Sequence, residues 1–269
     1  MHAVFCNLIF SWLIFSVVGD HFYGGIITWK PTYPCLSGSN VSIMITQTYV
    51  WSYSLMPCNS SMVSSNQLID TYAGVDKRKL QCINNCLTGS TGYTSVNVIP
   101  YCIGSSSTFD TSKTQRSDIV TLKSANDFWI AYQDNPWRTL ATSNNAGWSL
   151  ATNIKVNPRP DNGLYNHAPI SNFMSPIYVE ANGYAELTIP VFDAENDVIR
   201  CRWANTSGGV DECGDVCPPN SIPSGTSLYS ECNMVIAGPG TIGEWYAFTI
   251  MVRFHIQFSK KHHFAPCFL

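Results

Sequence analysis

The sequence predicts an all-β chain of two β-sandwich-like modules in series, both disulfide-stapled, the second Ig- or cadherin-like. Three observations carry this. Apolar side chains alternate with a period of two, which is the pattern of a strand with one buried face. Clusters of Gly, Ser, Asn and Pro separate the alternating runs, as turns require. The 11 cysteines of the 269-residue chain fall mainly into two groups divided by a long cysteine-free stretch.

Residues 1–19 precede the first module. Val4 to Val18 is mostly apolar, and Val17 and Gly19 place small side chains before a cut at Asp20. This predicts a secretory signal peptide, a little short for a membrane anchor of about 20 residues. No later segment is long and apolar enough to span a bilayer, because Val235–Val252 is interrupted by Gly238, Pro239, Gly240 and Gly243.

The N-terminal module is predicted over 20–156. Val41, Ile43, Ile45, Tyr49, Trp51 and Tyr53 share one face of an extended segment, with Gln47 the one polar interruption. Ile26–Trp29, Tyr93–Cys102, Asp118–Leu122 and Phe128–Tyr132 read as further strands. Ser105–Thr114 is rich in Ser and Thr and reads as an exposed loop.

Residues 157–176 hold Pro158, Pro160, Pro169 and Pro176 and read as a semi-stiff linker. The second module follows over 177–254. Ala185–Val191, Ile199–Trp203, Met234–Ala237 and Trp245–Phe254 are its strands, and the face shared by Ile199, Cys201 and Trp203 points to a sandwich core. Residues 255–269 form a tail containing the basic cluster Lys260, Lys261, His262 and His263.

The cysteines then imply a framework. In an exported chain, closely grouped cysteines are disulfides before they are metal ligands. In the second module the spacing favours Cys201 with Cys232, strand to strand, and Cys213 with Cys217, closing a small loop. The first module has five: Cys35, Cys58, Cys82, Cys86 and Cys102. One of these is free, pairs with Cys267, or pairs with another chain as a disulfide-linked oligomer. The sequons at Asn40, Asn59 and Asn205 mark the chain as a glycoprotein, secreted or extracellular.

Charged residues make up 12% and the net charge is −3, so no basic surface for nucleic acid is predicted. Gly238-Pro-Gly240-Thr-Ile-Gly243 fits a dinucleotide fingerprint by letter, but the flanking alternation predicts a hairpin connection instead. Asp193, Glu195 and Asp197 form an acidic turn that is a weak calcium candidate; a solvated turn needs the same residues. No catalytic residue and no cofactor is assigned.

Several motifs together carry a resemblance. They are His21-Phe-Tyr-Gly24-Gly25 with Trp29, Trp137-Arg138, Trp148-Ser-Leu150 and Pro158-Arg-Pro-Asp161. Asp193–Asp197, Ile199-Arg-Cys-Arg-Trp-Ala204 and Glu212-Cys-x-x-x-Cys217 complete the set. The chain resembles invertebrate, mollusc-type extracellular proteins, and the resemblance implies a receptor- or adhesion-like ectodomain. It departs after Val252, where the resemblance implies an acidic turn and one more apolar strand. The tail therefore reads as an alternative or truncated end, of a protein that includes a membrane-anchored isoform.

The expected function is non-catalytic recognition or adhesion with an extracellular protein or glycan as partner. A matrix component cross-linked through an odd cysteine is the alternative, and a secreted hydrolase the third reading.

Overall fold

The computed structural model describes residues 22–33, 39–69, 79–86, 91–172 and 175–255. The predicted signal peptide, Cys6, Cys35, Cys267 and the tail beyond His255 lie outside the described residues.

The first module is built around β2 (Asn40–Ser52), whose odd-numbered residues from Val41 to Trp51 are all buried. β1 (Phe22–Pro31) and β5 (Thr111–Lys123) flank it antiparallel, and β4 (Tyr101–Ser106) extends the sheet beyond β5. A second antiparallel sheet orders β3 (Gln81–Asn84), β6 (Asp127–Asp134) and β7 (Trp148–Lys155). Phe128, Ile130, Tyr132, Trp148 and Ile154 from this sheet share one core with Ile43, Ile45, Tyr49 and Trp51 from the other. Each such side chain contributes about 1.5–3 kcal/mol when fully buried. Two sheets around one apolar layer make a sandwich-like arrangement.

Gln47 is fully buried yet satisfied. Its Nε2 donates to the Asn97 carbonyl at 3.0 Å, and Tyr49 donates its hydroxyl proton to Gln47 Oε1 at 2.6 Å. Phe22 packs between Trp51, Trp137 and Trp148, the last stacked at 4.2 Å. Gly25 has a steric reason: a Cβ there would sit 2.7 Å from the Tyr49 ring and 2.8 Å from Leu150. A bridge from Cys58 to Cys102 ties the chain just before the short helix α1 (Ser60–Ser64) to β4. Another joins Cys82 to Cys86.

In the second module, β13 (Asn233–Ala237) lies between β9 (Tyr184–Thr188) and β12 (Ser227–Leu228). β11 (Val198–Trp203) pairs with β14 (Ile250–His255), and β8 (Ile170–Ser171) with β10 (Val191–Phe192). The bridge Cys201–Cys232 is buried beside Ile189, flanked by Ile199, Ile250 and Val252. It closes a span of 31 residues and contributes about 3 kcal/mol. Cys213 pairs with Cys217.

The structure departs from the sequence reading in several places. Ser105–Thr114 is a β-hairpin turning at residues 107–110, not a loop. Ser112 and Thr114 are buried there, and Trp51 Nε1 donates to Thr114 Oγ1 at 3.0 Å. The Tyr93–Cys102 strand begins only at Tyr101; residues 91–100 are held by single contacts, including the one from Gln47. The fingerprint-like glycine segment is not a hairpin connection. It crosses from β13 to β14, which belong to different sheets. Strand β14 starts at Ile250 because Trp245 and Ala247 are drawn into the first core. Trp203 is half-buried against Phe248 rather than in the cystine core.

Residues 157–176 pack rather than bridge a gap. Tyr165 is buried in the first core, and the Ala168 N–H donates to the Trp29 carbonyl at 3.0 Å. Arg159 is buried and bound to Asp197 of the second module. Val216, from the small loop of the second module, is likewise part of the first core.

Candidate recognition surface

Trp137 is buried among the core rings, and the chain bends at Arg138, which is half-buried against Tyr23 and Trp245. Backbone bonds fix the pair: Trp137 N–H donates to the Ala146 carbonyl and Arg138 N–H to the Phe22 carbonyl. The Arg138 guanidinium carbon lies 3.6 Å from the Trp245 ring centroid and 4.9 Å from that of Tyr23. Tyr23 and Trp245 stack at 5.7 Å with 15° between planes. Trp245 is held by its carbonyl, which accepts from Ala141 N–H at 2.8 Å.

Arg138 Nη1 donates to the Tyr23 hydroxyl at 2.9 Å, and that hydroxyl donates to Asp110 Oδ2 at 2.8 Å. Burial raises the Tyr23 phenol, reinforced by the bond to Asp110, so it remains a donor. Burial alone pushes the Asp110 carboxyl up. Hydrogen bonds from Ser54, Ser52 and Tyr23 outweigh it and hold the carboxyl below its ordinary value.

The rings continue outward. Tyr178 meets Trp245 edge-on at 6.0 Å, and Phe109 meets Tyr178 at 6.0 Å. Tyr178 is 62% exposed and Phe109 56%. The surface thus joins β1, the tip of the β4–β5 hairpin, the segment before β9 and the segment before β14. It can stack flat apolar ligand faces on rings whose base is fixed by a cation.

The acidic turn is engaged by the protein. Asp193 Oδ1 accepts from the N–H groups of Glu195 and Asp197 at 3.1 and 2.9 Å. Both Asp197 oxygens accept from Arg159, and both Glu195 oxygens meet His167, at Nδ1 (2.5 Å) and at its N–H (3.3 Å). Asp193 Oδ2 is buried without a hydrogen bond, and burial raises this carboxyl. The candidate calcium ligands Asp193, Glu195 and Asp197 are therefore packed onto protein groups.

Asp211, Cys213 and Cys217 also cluster at metal-ligand spacing, but both sulfurs are in a bridge. Asp211 Oδ1 accepts from the N–H groups of Cys213 and Gly214. An open cleft beside them, lined by Asp134, Trp148, Asp211 and Asp215, is a seam between the modules. There Asp215 accepts from Gly147 N–H at 2.8 Å.

Asn40 and Asn59 are exposed and Asn205 partly so. Asn59 also caps α1, its side chain accepting from Met62 N–H. Among the described residues no helix is long and apolar enough to cross a membrane. No known family model matches the chain, and no curated protein or solved structure matches it.

Of this surface, Trp137-Arg138 and Tyr23, within His21-Phe-Tyr-Gly24-Gly25, stand out in the sequence, but nothing there joins them. Tyr23, Phe109, Tyr178 and Trp245 are spread along most of the chain, and no local pattern links them.

Proposed function

We propose that the protein is a secreted, non-catalytic recognition protein that binds carbohydrate on the Tyr178–Phe109 ring surface. The observation that carries this is two largely exposed rings in contact, backed by the fixed Arg138–Trp245 pair. Exposed aromatic groupings mark interaction sites. The apolar face of one pyranose covers one aromatic ring, so separate tilted rings suit a sugar better than a flat protein surface. The disulfides, the apolar N-terminal segment and the exposed sequons support secretion. The resemblance to adhesion-type ectodomains points the same way.

The test is binding of the secreted protein to an array of neutral glycans. Tyr178→Ala with Phe109→Ala should abolish the signal and leave the melting temperature within 2 °C, roughly the shift expected for exposed sites. An array with no bound glycan overturns the reading.

A further inference from the structure

The described arginines are used in different ways. Arg116 and Arg159 are bound to carboxylates, and Arg138 is bound by rings. Arg200, Arg202 and Arg253 instead gather on one face of the two-stranded β11–β14 sheet. Cys201 and Val252 point into the cystine core, so the residues on either side of them point out. The outer face is Val198, Arg200 and Arg202 on β11, with Met251, Arg253 and His255 on β14.

Arg202 is neutralised there, its two Nη groups donating to Glu212 at 2.7 and 2.6 Å. Arg200 and Arg253 are not. They face each other directly in the strand register, and both are exposed. Arg200 Nη1 reaches only the Ile199 carbonyl at 3.1 Å, and neither arginine has an ion pair among the described residues. Glu231 lies within electrostatic reach of Arg200, but its carboxylate takes a hydrogen bond from Ser230. Like charges directly opposite on a sheet repel. An anion placed between them removes the repulsion and meets two planar donor forks, a geometry suited to two oxygens of a sulfate or carboxylate.

We infer that Arg200 and Arg253 form a binding site for an anionic, sulfated oligosaccharide. Size favours a glycan over a protein. Six paired residues give a strip about 20 Å long and two strands wide. A stable protein interface needs about 800 Å² per partner, several times this area. The site shares no residue with the ring surface, so either can fail alone.

The experiment uses the whole secreted protein and three probes: a sulfated hexasaccharide, its desulfated counterpart and a poly-glutamate peptide. The sulfated probe should bind, and Arg200→Gln with Arg253→Gln should weaken it at least tenfold. The slope of log affinity against log salt should become shallower by about two in the same variant. Lys30→Gln with Lys113→Gln, exposed lysines on the first module, removes the same charge and should leave binding unchanged. No binding of the sulfated probe overturns the inference. So does equal binding by the desulfated probe or the peptide, or an unchanged affinity in the arginine variant. Single Arg200→Gln and Arg253→Gln proteins serve if the double variant does not fold.

Discussion

Arg138 lies over Trp245 at 3.6 Å, although the two residues belong to different modules and are separated by more than a hundred positions. The cation fixes the inner ring of the surface, and Tyr178 leans its edge on that ring. A double-mutant cycle of Arg138→Gln and Trp245→Leu should give a coupling energy of about 1 kcal/mol in urea denaturation. A coupling of zero would show that the two merely adjoin.

Gln47 invites the opposite experiment, since its site is closed to water. Gln47→Leu restores the apolar face of β2 but strands the Tyr49 hydroxyl and the Asn97 carbonyl. The variant should lose about 3 kcal/mol, despite its greater hydrophobicity. Tyr49→Phe, which strands only one acceptor, should lose less. Chemical denaturation of both variants checks the order.

The Arg159–Asp197 contact is buried on both sides. Asp197→Asn leaves a buried guanidinium with Asp161 as its remaining carboxylate and should cost about 3 kcal/mol. The exposed pair of Lys155 and Asp127, at 3.6 Å, is the control. Lys155→Met should change stability by no more than about 0.5 kcal/mol. Comparable losses at the two sites would contradict the burial argument.

Acid should act on two carboxylates with opposite sign. Hydrogen bonding to Arg159 holds Asp161 below its ordinary value. Its contribution is present above the unfolded value, about 4, and is lost as pH falls through the lower folded value. Asp161→Asn should therefore flatten the fall in stability below pH about 4. Burial raises Asp193, so the folded state keeps that proton longer and stability drops as pH rises above the unfolded value. Asp193→Asn should remove that drop. Urea melts between pH 2 and 6 separate the two, spanning roughly both windows.

Local patterns were legible where one strand carries its own explanation. The buried face of β2 can be read residue by residue, because each side chain's direction follows from the period of two. Cys201 and Cys232 pair across a core whose other members, Ile199 and Ile189, alternate in sequence. The Pro-rich segment misleads for a physical reason. Its composition reports backbone stiffness, whereas its placement depends on Tyr165 and Arg159 finding partners elsewhere. The ring surface was hidden for a related reason. It consists of single residues from four segments, and only three-dimensional proximity joins Phe109 to Tyr178. The span from Trp245 to Phe254 alternates like a strand, yet its first half is claimed by another core.

Val216 and Ala247 complete the first core although they are synthesised last among its members. A nascent chain that has emerged only as far as Val156 holds both sheets of the first module but not the residues that close it. Translation at about 5–20 residues per second leaves roughly 5–20 s before Ala247 emerges. Through that interval the half-made protein carries an open seam beside Trp148, into which another unfinished chain could insert before the C-terminal residues arrive to close it.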